Sequence, residues 1–232
     1  VAGAPPPTET IERVETELGW EFIQLYGLTE TAPLLTINRC RTEWDELTPN
    51  ERAKKLARAG APALGVTMKL SAAGELLAKG NHVLQGYWDN PTATAQALEG
   101  GWFHTGDMGR MDAQGYMYLM DRKKDMIITG GFNVYSVEVE AAILALPEVK
   151  ECAVIGVPDD KWGEAIKAVV VLREEGSLDE SEIIAYCKKK LAGVKTPKTV
   201  EFRSEIPKTP TGKTDKKAIR APYWAGQERA VH

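Results

Sequence analysis

The chain has 232 residues, 43% apolar and 27% charged, which is ordinary for a globular protein and enough to bury a core in one large or two modest domains. A formal net charge of −4 argues against nucleic acid as the main partner, and no apolar run approaches the ~20 residues of a membrane span. The opening VAGAPPPTET has neither the basic nor the apolar region of a signal peptide. Cys40, Cys152 and Cys187 are far apart and odd in number, as expected of reduced, buried thiols in a cytoplasmic protein. His82, His104 and His232 form no ligand cluster.

In chain order, Pro5–Pro7 ends a turn, and Thr8 or Thr10 is placed to cap a helix to about Leu18, with Ile11, Val14 and Leu18 on one face. Trp20–Tyr26 reads as a strand ending in Gly27. Thr48-Pro49 opens a short surface helix through Asn50–Arg58. From Val66 to Tyr118 the texture is that of short strands (VTMKL, GELLAKG, VLQGYW, GYMYLM) punctuated by turns such as Asp112–Gly115, a small, mostly antiparallel barrel or sheet. Asn90–Leu98 interrupts it as a helix, with Pro91 at a favourable first position.

The run Asp121–Asp125 is five consecutive charged residues, which do not pack into a core unpaired. It precedes a short apolar strand, Met126–Ile128, and the pair Gly130-Gly131. Ser136, with Glu138 and Glu140 behind it, reads as a helix start for Val137–Leu146, ended by Pro147. Beyond lie apolar strands at Val149–Val157 and Ala165–Leu172 and an amphipathic helix, Leu178–Leu191, with Ile183, Ile184 and Cys187 inward. A strand at Val200–Arg203 and a basic helix at Thr214–Arg220 follow. This second half is expected to be a compact α+β domain.

Four segments, QLYGLTET (Gln24–Thr31), WFHTGD (Trp102–Asp107), DRKKDMIITGGFNVYSVEVE (Asp121–Glu140) and PKTPTGK (Pro207–Lys213), together resemble the adenylate-forming superfamily of acyl-CoA synthetases, peptide-synthetase adenylation domains and luciferases. They run in the family's order through nearly the whole chain. The resemblance implies the end of a large α/β subdomain and a small β-barrel-like subdomain, followed by a mobile α+β domain. The corresponding divisions are 1–121, β-rich from about 60, and 122–232, with the hinge at Lys124. The family's full enzymes are longer and carry a phosphate loop that nothing here matches. The chain is therefore expected to be the C-terminal part of a synthetase, inactive without the rest.

The same resemblance assigns roles. Gln24, Tyr26 and Gly27 belong to the adenine side, with Gly3 and Ala4 against the other adenine face. Thr29 lies near the α-phosphate, and Glu30 is on Mg²⁺, a hard cation that takes oxygen ligands. Asp107 and Arg122 hold the ribose, and Lys213 is the lysine of adenylation. Gly130, Gly131 and Trp162 line a channel for coenzyme A. Each has a plainer alternative: Tyr26 as core, Asp107 as a turn residue, Lys213 as the tip of an exposed basic loop, Trp162 as a core tryptophan. Pro207-to-Thr214 is not a GxxxxGK[ST] phosphate loop, because Pro207 stands where the first glycine belongs. The expected activity is AMP-forming acid–thiol ligation of a fatty acid, with ATP, Mg²⁺ and coenzyme A. The alternatives are a peptide-synthetase-type adenylation domain and a nucleotide-binding fragment without turnover.

Overall fold

The computed structural model describes residues 1–2, 7–210 and 212–226. Gly3 and Ala4 lie outside the described residues. The chain divides into two compact units, Val1–Met120 and Asp121–His232. No helix among the described residues is long and apolar enough to cross a membrane.

The first unit opens with α1 (Thr8–Leu18), followed by β1 (Gln24–Tyr26), β2 (Thr36–Asn38), α2 (Pro49–Leu56) and β3 (Ala61–Pro62). β1, β2 and β3 form a three-stranded antiparallel sheet. Ile11 packs with Phe22, Trp44, Ala53 and Leu56 in one core cluster. The N-cap of α1 is Pro7 rather than a threonine, and no side chain caps it. β1 is also shorter than the Trp20–Tyr26 run. α2 starts as its sequence dictates: the Thr48 hydroxyl accepts from Glu51 N, and Glu51 reaches back to Thr48 N.

A four-stranded sheet follows in the order β4 (Thr67–Leu70), β5 (Glu75–Lys79), β6 (Phe103–Met111) and β7 (Met117–Arg122), with α3 (Pro91–Ala97) between β5 and β6. Asn90 caps α3 by accepting from Ala93 N. One sequence expectation fails here. VLQGYW is not a strand: Leu84 N donates to the Glu30 carbonyl and Tyr87 N to the Thr94 hydroxyl, so its backbone is spent on other elements. WFHTGD, which the sequence does not mark as a strand, leads into the sheet's longest strand, β6, and places Asp107 within it rather than in a turn.

In the second unit, β8 (Ile127–Thr129) and β9 (Phe132–Val134) form a hairpin over Gly130-Gly131, with Thr129 opposite Phe132. Both glycines have positive φ, +57° and +81°, as a two-residue hairpin turn requires. Then come α4 (Ser136–Leu144), β10 (Val149–Asp159), β11 (Gly163–Leu172), α5 (Glu180–Lys190), β12 (Thr199–Phe202) and α6 (Lys216–Arg220). β11 is central, antiparallel to β10 and β8 and parallel to β12. Val154, Ile166, Ala168 and Val170 pack with Val139, Ile143, Ile183 and Cys187, whereas Ala153, Ile155, Val169 and Val171 pack with Ile206 and Ile219. Burial on both faces is why these strands read as continuous apolar runs.

The chain is thus of the mixed α/β and α+β class expected. The charged run Asp121–Asp125 is not simply solvated: Lys123–Asp125 form a 3-10 turn, and both aspartates are half-buried because they are paired. Ser136 is the first residue of α4, not its cap. Its N–H and hydroxyl both donate to Oδ2 of Asp121, at 2.5 and 2.6 Å. Of the three cysteines, only Cys187 is fully buried; Cys40 and Cys152 are half-buried, and all three are free thiols.

Candidate functional site

The candidate residues of the first unit lie on a strand end, a turn and a bulge. Gln24 and Tyr26 are the ends of β1, and both side chains point into the protein. Tyr26 is a core residue, 8% exposed, whose hydroxyl donates to Asp107 Oδ2 at 2.8 Å. Gln24 is buried, and its Oε1 has no hydrogen-bond partner among the described residues. Gly27 is required by the chain itself, since a Cβ there would lie 1.8 Å from the Pro33 carbonyl oxygen.

Asp107 follows Gly106, which has φ +71° and sits where the β5–β6 register slips between Glu75 and Leu77. Such a bulge re-aims the next side chain. Buried Glu75 holds it: its Oε1 accepts from Gly106 N at 3.0 Å, and its Oε2 meets His104 Nδ1 at 3.2 Å. His104 is therefore a structural partner of the bulge. Asp107 N donates to the Thr105 hydroxyl, which in turn donates to the Leu76 carbonyl.

Thr29 and Glu30 occupy a single 3-10 turn, Thr29–Thr31. Glu30 Oε1 accepts from the Tyr87 hydroxyl at 3.1 Å. Burial, and then the Glu30 carboxylate, push the Tyr87 phenol above its ordinary pKa, so it remains a neutral donor. One hydroxyl does not exhaust a carboxylate's acceptor capacity, so Glu30 fits a hard cation. Among the described residues no three His, Cys, Asp or Glu side chains are grouped to hold a metal by themselves. A cation at Glu30 would therefore take most of its ligands from phosphate and water, as Mg²⁺ commonly does.

The remaining candidates belong to the second unit. Arg122 and Lys124 are exposed, and the Lys124 carbonyl accepts from Arg220 Nη1 at 2.9 Å. Lys213 is exposed at a tight turn: Thr209 N donates to the Lys213 carbonyl at 2.7 Å, and Lys213 N to the Thr209 hydroxyl. Trp162 is 42% exposed, which sets aside the core alternative. Asp159 Oδ1 accepts from its backbone N–H, and its carbonyl accepts from Gly130 N at 2.9 Å. The indole covers Gly130 closely enough that a Cβ there would lie 2.8 Å from Trp162 Cε3.

A polar cluster that sequence reasoning missed lies behind α4. Lys216 Nζ meets Glu140 Oε1 at 2.7 Å and the Ser136 hydroxyl at 2.5 Å, and Glu140 Oε1 also accepts from Val154 N. Burial pushes the Glu140 carboxyl up from its ordinary pKa, opposed by Lys216. Tyr87 and Glu75 were missed as well. Nothing in their local sequence marks them, because their partners lie 57 and 31 residues away.

Residues 1–88 match the AMP-binding enzyme family and residues 138–213 match the AMP-binding enzyme C-terminal domain; the chain belongs to the adenylate-forming superfamily. It is 41% identical over 229 residues to a feruloyl-CoA synthase from Amycolatopsis sp, covering 94% of this chain and 44% of that protein. It is 41% identical over 232 residues to 4-hydroxybutyrate–CoA ligase 2 of Metallosphaera sedula, covering 95% of this chain and 42% of that protein. Among solved structures it resembles ATP-bound MatB from Rhodopseudomonas palustris, with TM-score 0.83 and 33% identity over 96% of this chain and 44% of that one. The chain thus spans less than half the length of the relatives it matches.

Proposed function

We propose that the protein carrying this chain is an AMP-forming acyl-CoA synthetase. The observation that carries this reading is the bond between Tyr26 and Asp107, which joins two of the resembling segments at one point of the first unit. In the first half-reaction a substrate carboxylate oxygen attacks the α-phosphorus of ATP, and the bond to pyrophosphate breaks. In the second, the thiol sulfur of coenzyme A attacks the acyl carbonyl, AMP leaves, and the thiol proton passes to solvent or base.

Gly3, Ala4, Gln24, Tyr26 and Gly27 serve the adenine side, and Asp107 and Arg122 accept from and donate to the ribose hydroxyls. Thr29 contacts the α-phosphate. Lys213 places positive charge where negative charge grows on the phosphate oxygens during adenylation. Glu30 would hold Mg²⁺ together with the phosphates, and the ion would supply further positive charge there. Gly130, Gly131 and Trp162 guide coenzyme A. The domain division at 121/122 and rotation about Lys124 allow one acyl-adenylate to meet two different surfaces in turn.

The sequence reading favoured a fatty acid as substrate. The relatives' names, feruloyl and 4-hydroxybutyrate, support a wider range of carboxylic acids, aromatic and hydroxylated included.

The test is acid-dependent ATP–pyrophosphate exchange with the whole protein across acids of graded length and aromaticity, followed by thioester formation on adding coenzyme A. Exchange with no acid would sink the reading. The Lys124→Pro variant tests rotation. Proline fixes φ near −65° and restricts Lys123 before it. One half-reaction should fall far more than the other, and equal loss in both would remove Lys124 as the pivot.

A further inference from the structure

Lys216 and Arg220 stand four residues apart on α6, so both side chains leave the same face of the helix. That face is turned inward. Lys216 reaches Glu140 and Ser136 at the start of α4, and Ser136 in turn holds Asp121. Arg220 Nη1 donates to the Lys124 carbonyl at 2.9 Å and to Asp125 Oδ1 at 2.8 Å. Both ion pairs are largely withdrawn from solvent, with side chains 11–15% exposed. Between them, Ile219 is fully buried against the β10–β11 face. A five-residue helix has no stability of its own, so these three anchors are what define it.

The N-terminal end of α6, where Lys216 stands, joins the Lys213 turn directly. Asp215 caps the helix by accepting from Ala218 N, and its own N–H donates to the Pro207 carbonyl at 2.8 Å. Lys208 and Thr214 bridge the base of the turn. The path from Lys213 to Lys124 is therefore a series of short, fixed contacts within one unit.

We propose that α6 is a strut that fixes the Lys213 turn relative to the Asp121–Asp125 joint, and that Arg220 and Lys216 are positioning residues for the reaction. Arg220 holds the backbone of Lys124 itself, and Lys216 holds Asp121 through Ser136. The two side chains bracket the joint from either end. The proposal rests on the roles given above to Lys213 and Lys124, but the contacts that define the strut do not.

The test uses Arg220→Gln, Arg220→Lys and Asp125→Asn in the whole protein, with two readouts. Hydrogen exchange at 121–127 reports the joint directly; Met126 N, for one, is bonded to the Arg122 carbonyl. Arg220→Gln should speed this exchange roughly tenfold, the scale of losing a hydrogen bond to a charged group, and shift the ratio of the two half-reaction rates by about fivefold. Arg220→Lys should recover part of both effects, because an ammonium can keep one of the two contacts. Asp125→Asn removes the same ion pair from the other side and serves if Arg220→Gln does not fold. Unchanged exchange in folded variants overturns the strut. So do half-reactions that fall equally and only as far as the folded fraction falls. If the wild-type protein shows no acid-dependent pyrophosphate exchange, the functional reading fails, while the exchange readout still decides the strut.

Discussion

The hydroxyl of Tyr26 donates to Oδ2 of Asp107 across 81 residues of sequence, so one proposed nucleotide contact orients another. Tyr26→Phe keeps the ring and removes the donor. We expect a loss of about 1.5–3 kcal/mol of stability and a roughly tenfold higher KM for ATP in pyrophosphate exchange, since a hydrogen bond to a charged group is worth that much. Asp107→Asn keeps an acceptor on the bulge and should be milder than Asp107→Ala. A Phe variant that is less stable but binds ATP normally would make the bond structural only.

Lys213 extends from a turn closed by Thr209, so its loss should leave the backbone of that turn intact. Lys213→Ala is expected to slow adenylation roughly 10²–10³-fold, the scale of removing one preorganised charge contact. Thioester formation from supplied acyl-adenylate should largely survive. Equal loss in both steps would mean that Lys213 supports the fold rather than the chemistry.

Asp112 supplies a pH dependence. Burial raises its pKa, but the backbone N–H groups of Tyr116 and Gln114 and the Arg58 guanidinium outweigh burial and hold it below the ordinary carboxylate value of 3.8. Arg58 is 4% exposed and lies 3.7 Å from the Tyr116 ring centroid, so the pair anchors the turn to the core. A carboxylate with a depressed folded pKa stabilises the fold above its unfolded pKa, and that stability is lost as pH falls through the folded value. Melting curves of wild type and Asp112→Asn should therefore differ at pH 7, begin to approach each other below about pH 4, and converge only below the depressed folded value. A gap unchanged down to pH 3 would mean that the charge contributes nothing.

What could be read from sequence was what local chemistry decides. α2 and α3 follow from Thr48-Pro49 and Asn90-Pro91, because a capping side chain and its N–H partner are three residues apart. β10 and β11 follow from unbroken apolar runs. β6 was lost because Gly106 and Gly109 look like turn residues, and its bulge exists only opposite Glu75. VLQGYW has a strand's composition but finds its partners in Glu30 and Thr94. The charged joint shows the same limit: Asp125 is tolerated inside because Arg220, 95 residues on, neutralises it. Candidate residues were legible through resemblance; the bonds between them were not, since no spacing rule links Tyr26 to Asp107.

Trp162 and Gly130 make the final pair. The indole lies over Gly130, yet the side chain keeps enough exposure to present one surface to solvent. Trp162→Ala should therefore cost well under the ~3–5 kcal/mol typical of a buried tryptophan. If the exposed surface guides coenzyme A, its KM should rise several-fold while pyrophosphate exchange stays near wild type. Gly130→Ala probes the same contact from the other side. A methyl group there meets Trp162 Cε3 at 2.8 Å, and φ is +57°, so the ring must move and the hairpin is strained. That variant should also raise the KM for coenzyme A, with a lower melting temperature than Trp162→Ala. A large stability loss in Trp162→Ala, with both half-reactions falling together, would assign the ring to packing and remove it from the coenzyme A path.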